Sequence, residues 1–268
     1  MSLSIWFVCA AVLQQSTMDD RFKQLSERYV NESPAFSPVH ATTLGDHRFD
    51  SQLDDLSSVA RDRTRRFHQQ MLQALKTIDR EQLSRANQVD YALLSDRLNA
   101  NLWELETLAE WTWNPLLYTE LTGSAVYGLM AREFAPLDRR LSHVADRLEQ
   151  FPRLFQQIRE LLEPQRVPRI HAETAVKQNR GVLNILDNMV QPHLEQLARS
   201  ERKRLLTAMQ EARNTVEQHQ QWLENQLLPN ASGDFRLGQD RYDQKLRFTL
   251  QTPLTRAQIR QRAESELA

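Results

Sequence analysis

The feature that most constrains the fold of this chain is the helical spacing of its apolar residues, which continues from Ser57 almost to the C-terminus. Apolar side chains recur every three or four residues, and this period places them on one face of an α-helix. No segment shows the alternation of apolar and polar residues that is typical of a β-strand. The sequence therefore predicts an all-α fold, an array of long amphipathic helices.

Start and stop signals divide this pattern into individual helices. Ser57 and Ser58 are hydroxyl residues of the kind that cap a helix N-terminus, and they predict the start of the first helix. The apolar segment Leu116 to Met130 contains two glycines, which predicts either a closely packed or a broken helix. Further helices are predicted at residues 84–110, 135–150, 152–163, 171–190, 192–228 and 254–268.

Glycine is scarce, with 6 residues among 268, so its positions carry information. Two short segments, 44–50 (LGDHRFD) and 233–238 (GDFRLG), combine glycine with aromatic and charged residues. Glycine readily adopts a left-handed backbone and lets another chain segment approach closely. We therefore expect a turn or a close approach at each of these segments.

The balance of charges excludes a general affinity for nucleic acid. The 34 Lys and Arg residues nearly match the 35 Asp and Glu residues, and the two signs are interleaved. The basic run at residues 61–66 could meet a phosphate or an anionic lipid surface, but such a run is more often a solvated turn of an amphipathic helix. Cys9 is the single cysteine, so neither an intrachain disulfide nor a cysteine-based zinc site can form.

The N-terminal apolar run at residues 3–13 has the length of a signal-peptide core and is too short to span a bilayer. It lacks the positive charge that normally precedes such a core. Three interpretations stay open: a degenerate signal peptide of an exported or periplasmic protein, a start-site artefact with Met18 as the true start, or a short helix that packs on the body or attaches it to a membrane. We favour the first, and we divide the chain into residues 1–17 and 18–268.

No catalytic or metal-binding residue is predicted from the motifs. A helical zinc peptidase needs two histidines four residues apart with a glutamate beside the first, as in H-E-x-x-H. None of the seven histidines stands four residues from another, and none is followed directly by glutamate. The nearest approaches, His171 with Glu173 and His193 with Glu195, place the two side chains on different helical faces.

The candidates for substrate binding each have a structural alternative. Trp113 lies in an aromatic cluster that could line a ligand cleft, although core packing is favoured. Asn114 could bind substrate or fix the turn at the following proline. Arg236 and Tyr242 could recognise a carboxylate or take part in a salt-bridged loop. The complete set of candidates is Asp46, His47, Trp113, Asn114, Arg236 and Tyr242.

Seven segments occur in an order and spacing typical of one bacterial family. They are 44–50 with Leu53, Leu56 and Ser57; Asp90, Tyr91 and Leu94; 113–115; 132–134; Pro168, His171 and 173–175; 233–238 with Tyr242, Lys245 and Leu246; and Leu254 with Thr255. On these residues, from about Met18 to the end, the chain resembles the family called domain of unknown function 885. The resemblance implies a mostly helical, often exported protein and a zinc metallopeptidase of the H-E-x-x-H type.

The chain departs from that family in its chemistry. The family's metal-binding segment and its later glutamate ligand lie beyond the point that corresponds to Ala268, so the resemblance assigns no metal ligand or catalytic glutamate to this chain. It implies a non-catalytic N-terminal part, an incomplete domain whose helices form one wall of a cleft. Zinc, the C-terminal catalytic half or a chain that supplies it, and a short peptide substrate are then expected of the full-length form.

The alternative is a stand-alone helical binding or scaffold protein without enzymatic activity. The two hypotheses differ in the surface they predict. An incomplete domain would leave apolar stripes without partners, for example along the helix predicted at 192–228, and each large side chain left exposed forfeits about 1.5–3 kcal/mol. A severed half is therefore expected to aggregate unless its core closes on itself.

Overall fold

The computed structural model describes residues 17–267, so the predicted leader at residues 3–13 lies outside the described residues. The all-α prediction is confirmed: within 17–267 there is no β-strand, and Pro168 and Gly233 form an isolated bridge. The helices are α1 (Met18–Glu32), α2 (Pro38–Leu44), α3 (Ser58–Lys76), α4 (Arg85–Trp103), α5 (Leu116–Met130), α6 (Leu137–Leu148), α7 (Phe151–Leu161), α8 (Arg169–Gln178), α9 (Gly181–Ile185), α10 (Arg199–Trp222), α11 (Leu228–Asn230), α12 (Gln239–Leu250) and α13 (Arg256–Glu266).

Several helices begin at the residues that the sequence predicts. The Ala60 backbone N–H donates to Ser57 Oγ at 3.2 Å, which caps α3, and the Asn87 N–H donates to Ser84 Oγ at 3.5 Å at the start of α4. Such bonds satisfy donors that the first helical turn leaves without a partner. The segment with two glycines forms α5 without a break.

The prediction of one continuous helix at 171–190 is wrong, because the helix is interrupted between the end of α8 at Gln178 and the start of α9 at Gly181. Asn179 is buried at the break, and its amide Nδ2 donates to Val216 O at 3.1 Å and to Gln220 Oε1 at 2.9 Å. Both acceptors belong to α10. Helical periodicity alone could not reveal a break that a distant helix stabilises.

The helix predicted at 192–228 begins later than expected. Residues Gln191–Gln196 form a 3-10 helix, Leu197 is extended, and the α-helix starts at Arg199. Its last turns widen into a π-helix at Leu223–Leu227. Two other π segments, Glu104–Leu108 after α4 and Leu186–Val190 after α9, follow helices in the same way.

Three helices were not predicted, namely α1, α2 and α12. α1 carries a local start signal, since Thr17 and Asp20 form a capping box with both bonds at 3.1 Å. The signal T-x-x-D and the helical spacing of Met18, Phe22, Leu25 and Tyr29 were both present in the sequence. α12 follows Gly238, whose φ of +76° ends the second glycine segment.

Two hydrophobic cores hold the helices together. The larger core includes residues of α5, α6, α7, α8 and α10, and Leu141, Leu148 and Phe155 lie at its fully buried centre. The smaller core joins α1, α3 and α4 around Phe22 and Met71. The buried residues of the two cores form separate clusters.

The apolar stripe of α10 is covered within this chain. Leu205, Met209, Ala212 and Val216 are buried in the larger core, where α10 packs against α6 and α7. The expectation that an incomplete domain leaves this stripe without partners is therefore wrong for α10. The larger core closes around this helix without another chain.

Both glycine segments contain the backbone feature that the sequence predicts. Gly45 has a φ of +90° and ends α2 in the left-handed conformation. Gly233 lies so close to the backbone that a Cβ there would be 2.0 Å from Arg166 O. Its N–H donates to Val167 O at 2.9 Å, which fastens the second segment to the turn before α8.

His219 makes the fold sensitive to acid. The imidazole is 4% exposed and lies against Phe155, with ring centroids 4.9 Å apart, and Trp222, at 5.4 Å. Burial, with the nearby Arg159, lowers the pKa of His219 to about 3. The unfolded chain titrates at about 6.5, so protons bind preferentially to the unfolded state below that pH.

We expect this histidine to lower the free energy of unfolding by about 2 kcal/mol between pH 7.5 and pH 5.0. Urea unfolding at both pH values measures the change, and His219→Phe should remove this part of it. At pH 7.5 His219 is neutral in both states, so that measurement separates packing effects of the substitution from titration. An equal pH-dependent loss in the variant would show that His219 is not the source.

Candidate functional site

The first glycine segment joins α2 to the larger core. Asp46 Oδ1 accepts the Arg48 N–H at 3.2 Å, and the two side chains form an ion pair at 2.6 Å, which holds the pKa of Asp46 below its usual range. His47 Nδ1 lies 3.0 Å from Asp50 Oδ2, and its ring stacks on Phe134 with centroids 3.6 Å apart. His47 is thus held on both sides.

Arg147 of α6 is the centre of this junction and is fully buried. Its guanidinium donates to Gln52 O at 3.0 Å, Ala125 O at 2.9 Å and Thr42 Oγ1 at 2.6 Å. Burial lowers the pKa of Arg147 to about 10, while the nearby buried carboxylates of Asp50 and Asp54 oppose the change. Thr42 Oγ1 also donates to Asp50 Oδ1 at 2.7 Å, so Arg147 is connected to the end of the first glycine segment through Thr42.

Trp113 and Asn114 lie together at the corner between α4 and α5. Trp113 Nε1 donates to Leu108 O at 3.0 Å. Asn114 Nδ2 donates to Glu110 Oε1 at 3.0 Å, and Asn114 Oδ1 accepts the Leu116 N–H at 3.1 Å. Both polar side chains therefore stabilise the turn.

His171 of α8 also lies at this corner. Its ring stacks near Trp113 with centroids 6.0 Å apart, and its Nδ1 is buried without a hydrogen-bond partner within residues 17–267. Burial lowers the pKa of His171, and Glu110 opposes that shift. The corner therefore gathers the polar groups of Trp113, Asn114 and His171.

Arg236 and Tyr242 lie away from both places. Arg236 is within 3.5 Å of Asp234 and covers the Phe235 ring, with its guanidinium carbon 4.6 Å from the centroid. Tyr242 is about half exposed on α12. The structure does not bring the six predicted residues into one site.

A polar cavity with a volume of about 640 Å³ lies between the two cores. We call it the interhelical cleft. α2 and the turn before it form one wall, and α1, α3 and α4, which surround the smaller core, form the other. Of the predicted residues, Asp46 lines it. Other polar residues of the lining include Tyr29, His40, His68, Arg97, Asn101 and Glu104.

The inner part of the cleft is formed by neutral polar groups. His68 is buried, and its Nε2 lies 3.3 Å from Asn101 Nδ2. Burial lowers the pKa of His68, so the ring is neutral at neutral pH and its Nε2 can accept the amide proton. Burial raises the pKa of the Tyr29 hydroxyl, and the neighbouring Asn101 opposes that rise.

Two opposite charges lie near the mouth of the cleft, both on the α4 side. Arg97 and Glu104 are exposed, and neither forms an ion pair with a residue in 17–267. Desolvation at the cleft mouth raises the pKa of Glu104; Arg97 and Lys245 oppose the shift, whereas Glu110 adds to it. A positive, a neutral polar and a negative side chain thus follow one another along this wall.

The side chains of the described region do not fit a zinc site. Within residues 17–267 no three His, Cys, Asp or Glu side chains converge at the spacing a metal ion needs. His47 faces Asp50 and His143 faces Asp146, and each pair provides only two of the side chains that a zinc site needs. No step of a reaction can be assigned to zinc held by these residues.

Of the residues that line the interhelical cleft, only Asp46 was predicted from the sequence. Arg97, Asn101 and Glu104 occur at i, i+4 and i+7, the spacing of one helical face, and this was the available signal. The opposite wall comes from residues 33–46, at which no helix was predicted. Without that wall, the polar residues on this side of α4 have the same spacing as those of a helix face exposed to solvent.

Within residues 17–267, no helix is long and apolar enough to cross a bilayer.

Fold and site together define an all-α protein with a polar cleft between two separately packed cores. The chain belongs to the family described as bacterial protein of unknown function (DUF885), whose model matches residues 38–268. It is also similar to a solved structure described as a putative lipoprotein of unknown function from Shewanella oneidensis, with 26% identity and a TM-score of 0.84. That match covers 91% of this chain and 45% of the other, so this chain spans less than half the length of that relative. A comparison with curated proteins finds no match.

Proposed function

We propose that this chain is the non-catalytic, substrate-positioning part of a zinc-dependent peptidase that acts on short peptides. The observation that carries the proposal is the interhelical cleft, a polar cavity of about 640 Å³ with opposite charges near its mouth. A cavity of this size suits a small extended ligand. The peptidase class is supported by the resemblance drawn above from the ordered sequence segments.

In this proposal the metal-binding residues belong to another segment or chain. The similarity to 45% of a longer protein supports a larger unit of which this chain forms one portion. Helices α12 and α13 contain no buried residue, and Tyr242 and Leu250 of α12 are about half exposed, as is Phe235 in the segment before α12. This apolar surface is where we place the catalytic half or a partner chain that supplies it.

We also propose that the protein is exported. The structural relative is described as a lipoprotein, and the apolar run at residues 3–13 is of signal-peptide type. Export would give the cleft access to peptides outside the cytoplasm.

The first test is the mass of the native protein, detected in extracts of its source organism with an antibody against this chain. We expect a polypeptide well above 31.4 kDa, the mass of the 268 residues. Purified, that polypeptide should hydrolyse short peptides, and chelation of zinc should abolish hydrolysis. The 268-residue chain alone is the matched control and should release no product.

A stand-alone binding protein is the second candidate, and the closed packing around α10 favours it. It predicts a native species at or slightly below 31.4 kDa that melts cooperatively and binds peptides without cleaving them. Such a species, with no zinc and no peptidase co-purifying, would refute the first proposal.

A further inference from the structure

We propose that the interhelical cleft binds a short zwitterionic peptide in an extended conformation, with the peptide carboxylate at Arg97 and its ammonium group at Glu104. The choice of a peptide, rather than another extended zwitterion, rests on the proposed function. The polarity and the length of the ligand follow from the cleft itself.

The two charges near the cleft mouth set the polarity. Arg97 and Glu104 line the same cavity without an ion-pair partner among the described residues. Asp46, the other acidic residue of the lining, is neutralised by Arg48 at 2.6 Å. A guanidinium binds a carboxylate through two parallel hydrogen bonds, and a carboxylate binds an ammonium group through charge-assisted bonds. A ligand with opposite charges at its two ends satisfies both.

The spacing of the charges sets the length. Arg97 and Glu104 are seven residues apart, which corresponds to about 10 Å along a helix that rises about 1.5 Å per residue. An extended peptide spans about 3.3–3.6 Å per residue, so about three residues separate the two charges by this distance. A dipeptide can also reach if the long arginine side chain bends inwards.

The middle of the cleft suits the body of such a peptide. Asn101 lies between the two charges on α4, where its amide can both donate to and accept from a peptide group. Phe36 and Leu44 supply apolar surface from the opposite wall, and His40 adds a polar group there. Small side chains of varied type can therefore be accommodated.

The test is calorimetric titration of the 268-residue protein with Ala-Ala-Ala and with two blocked forms, the N-acetylated peptide and the C-terminal amide. We expect Ala-Ala-Ala to bind and each blocked form to bind about tenfold more weakly, because each loses one charge-assisted contact. Arg97→Met should abolish the preference for a free carboxylate and leave the preference for a free amino group unchanged. Glu104→Gln should abolish the preference for a free amino group and leave the preference for a free carboxylate unchanged.

Arg85→Met and Glu106→Gln are the matched controls, since both residues are exposed, lie on or directly after α4 and do not line the cleft. They should leave all three affinities unchanged, and thermal melts should show that every variant is folded. Absence of Ala-Ala-Ala binding, or equal binding of free and blocked peptides, would overturn the assignment. The assignment would also be overturned if Arg85→Met weakened the binding of Ala-Ala-Ala as much as Arg97→Met does.

Failure of this binding site and failure of the proposed peptidase function give different results. If the native polypeptide hydrolyses no peptide while Ala-Ala-Ala still binds with both end preferences, the peptidase proposal fails and the site stands. If the native polypeptide does hydrolyse peptides, and Arg97→Met and Glu104→Gln leave KM unchanged for free and blocked substrates, the site fails and the peptidase proposal stands.

Discussion

Replacing Arg147 by methionine is expected to lower the free energy of unfolding by about 3–5 kcal/mol, the range seen when one partner of a buried charged network is removed. The substitution preserves most of the apolar volume but removes donors to Gln52 O, Ala125 O and Thr42 Oγ1. Asp50 and Asp54, which are 2% and 8% exposed, then lose the nearby positive charge. Urea unfolding at pH 7 measures the loss.

Arg139→Met on the same helix is the matched control for this experiment. Arg139 is exposed and forms no ion pair with a residue in 17–267, so its substitution should change stability by less than about 0.5 kcal/mol. The double variant Arg147→Met, Asp50→Asn should lose less than the sum of the two single variants, since both remove parts of one electrostatic network. Strict additivity would contradict the coupling of Arg147 to Asp50.

Gly233→Ala is expected to lower the free energy of unfolding by about 3 kcal/mol, at the upper end of the usual cost of overpacking. The new Cβ would lie 2.0 Å from Arg166 O and 2.3 Å from Arg166 C, and backbone atoms cannot rotate away as a flexible side chain can. The Gly233–Val167 hydrogen bond of 2.9 Å should therefore break. Limited proteolysis should then cut the chain near residue 233 faster than in the unmodified protein.

Gly181→Ala tests whether this effect is specific to the close approach. A Cβ at Gly181 would meet no atom within 4 Å, and the residue opens α9. Because alanine restricts the unfolded chain more than glycine does, this variant should be stabilised by about 0.4–1 kcal/mol. Equal destabilisation of the two variants would show that the contact with Arg166 does not limit position 233.

Much of the fold could be predicted from local sequence signals. Ser57 and Ser84 mark the starts of α3 and α4, and the apolar stripes of α6 and α10 identify their buried faces. These features depend on a few neighbouring residues, so a single sequence contains them. The break at Asn179 could not be predicted, because its cause is a hydrogen bond to a helix 37 residues away.

The candidate sites illustrate the same limit. Of the two roles that the sequence suggested for Asn114, the geometry agrees with the turn, since Asn114 Oδ1 accepts the N–H of Leu116 two residues later. It could not find the interhelical cleft, because Tyr29, His68 and Glu104 come from three helices or their extensions and meet only after folding. Nor could it show that Arg147, an ordinary charged residue in the sequence, is fully buried.

The separation of the two cores has a consequence for how the cleft admits a ligand. α2 contributes to the larger core through Val39, whereas α1, α3 and α4 pack around the smaller one. The cleft therefore follows a seam between two bodies, each stabilised by its own buried apolar residues. Widening this seam leaves both bodies packed, so it costs far less than global unfolding. A ligand that contacts both sides would join them, and the two bodies would then move as one.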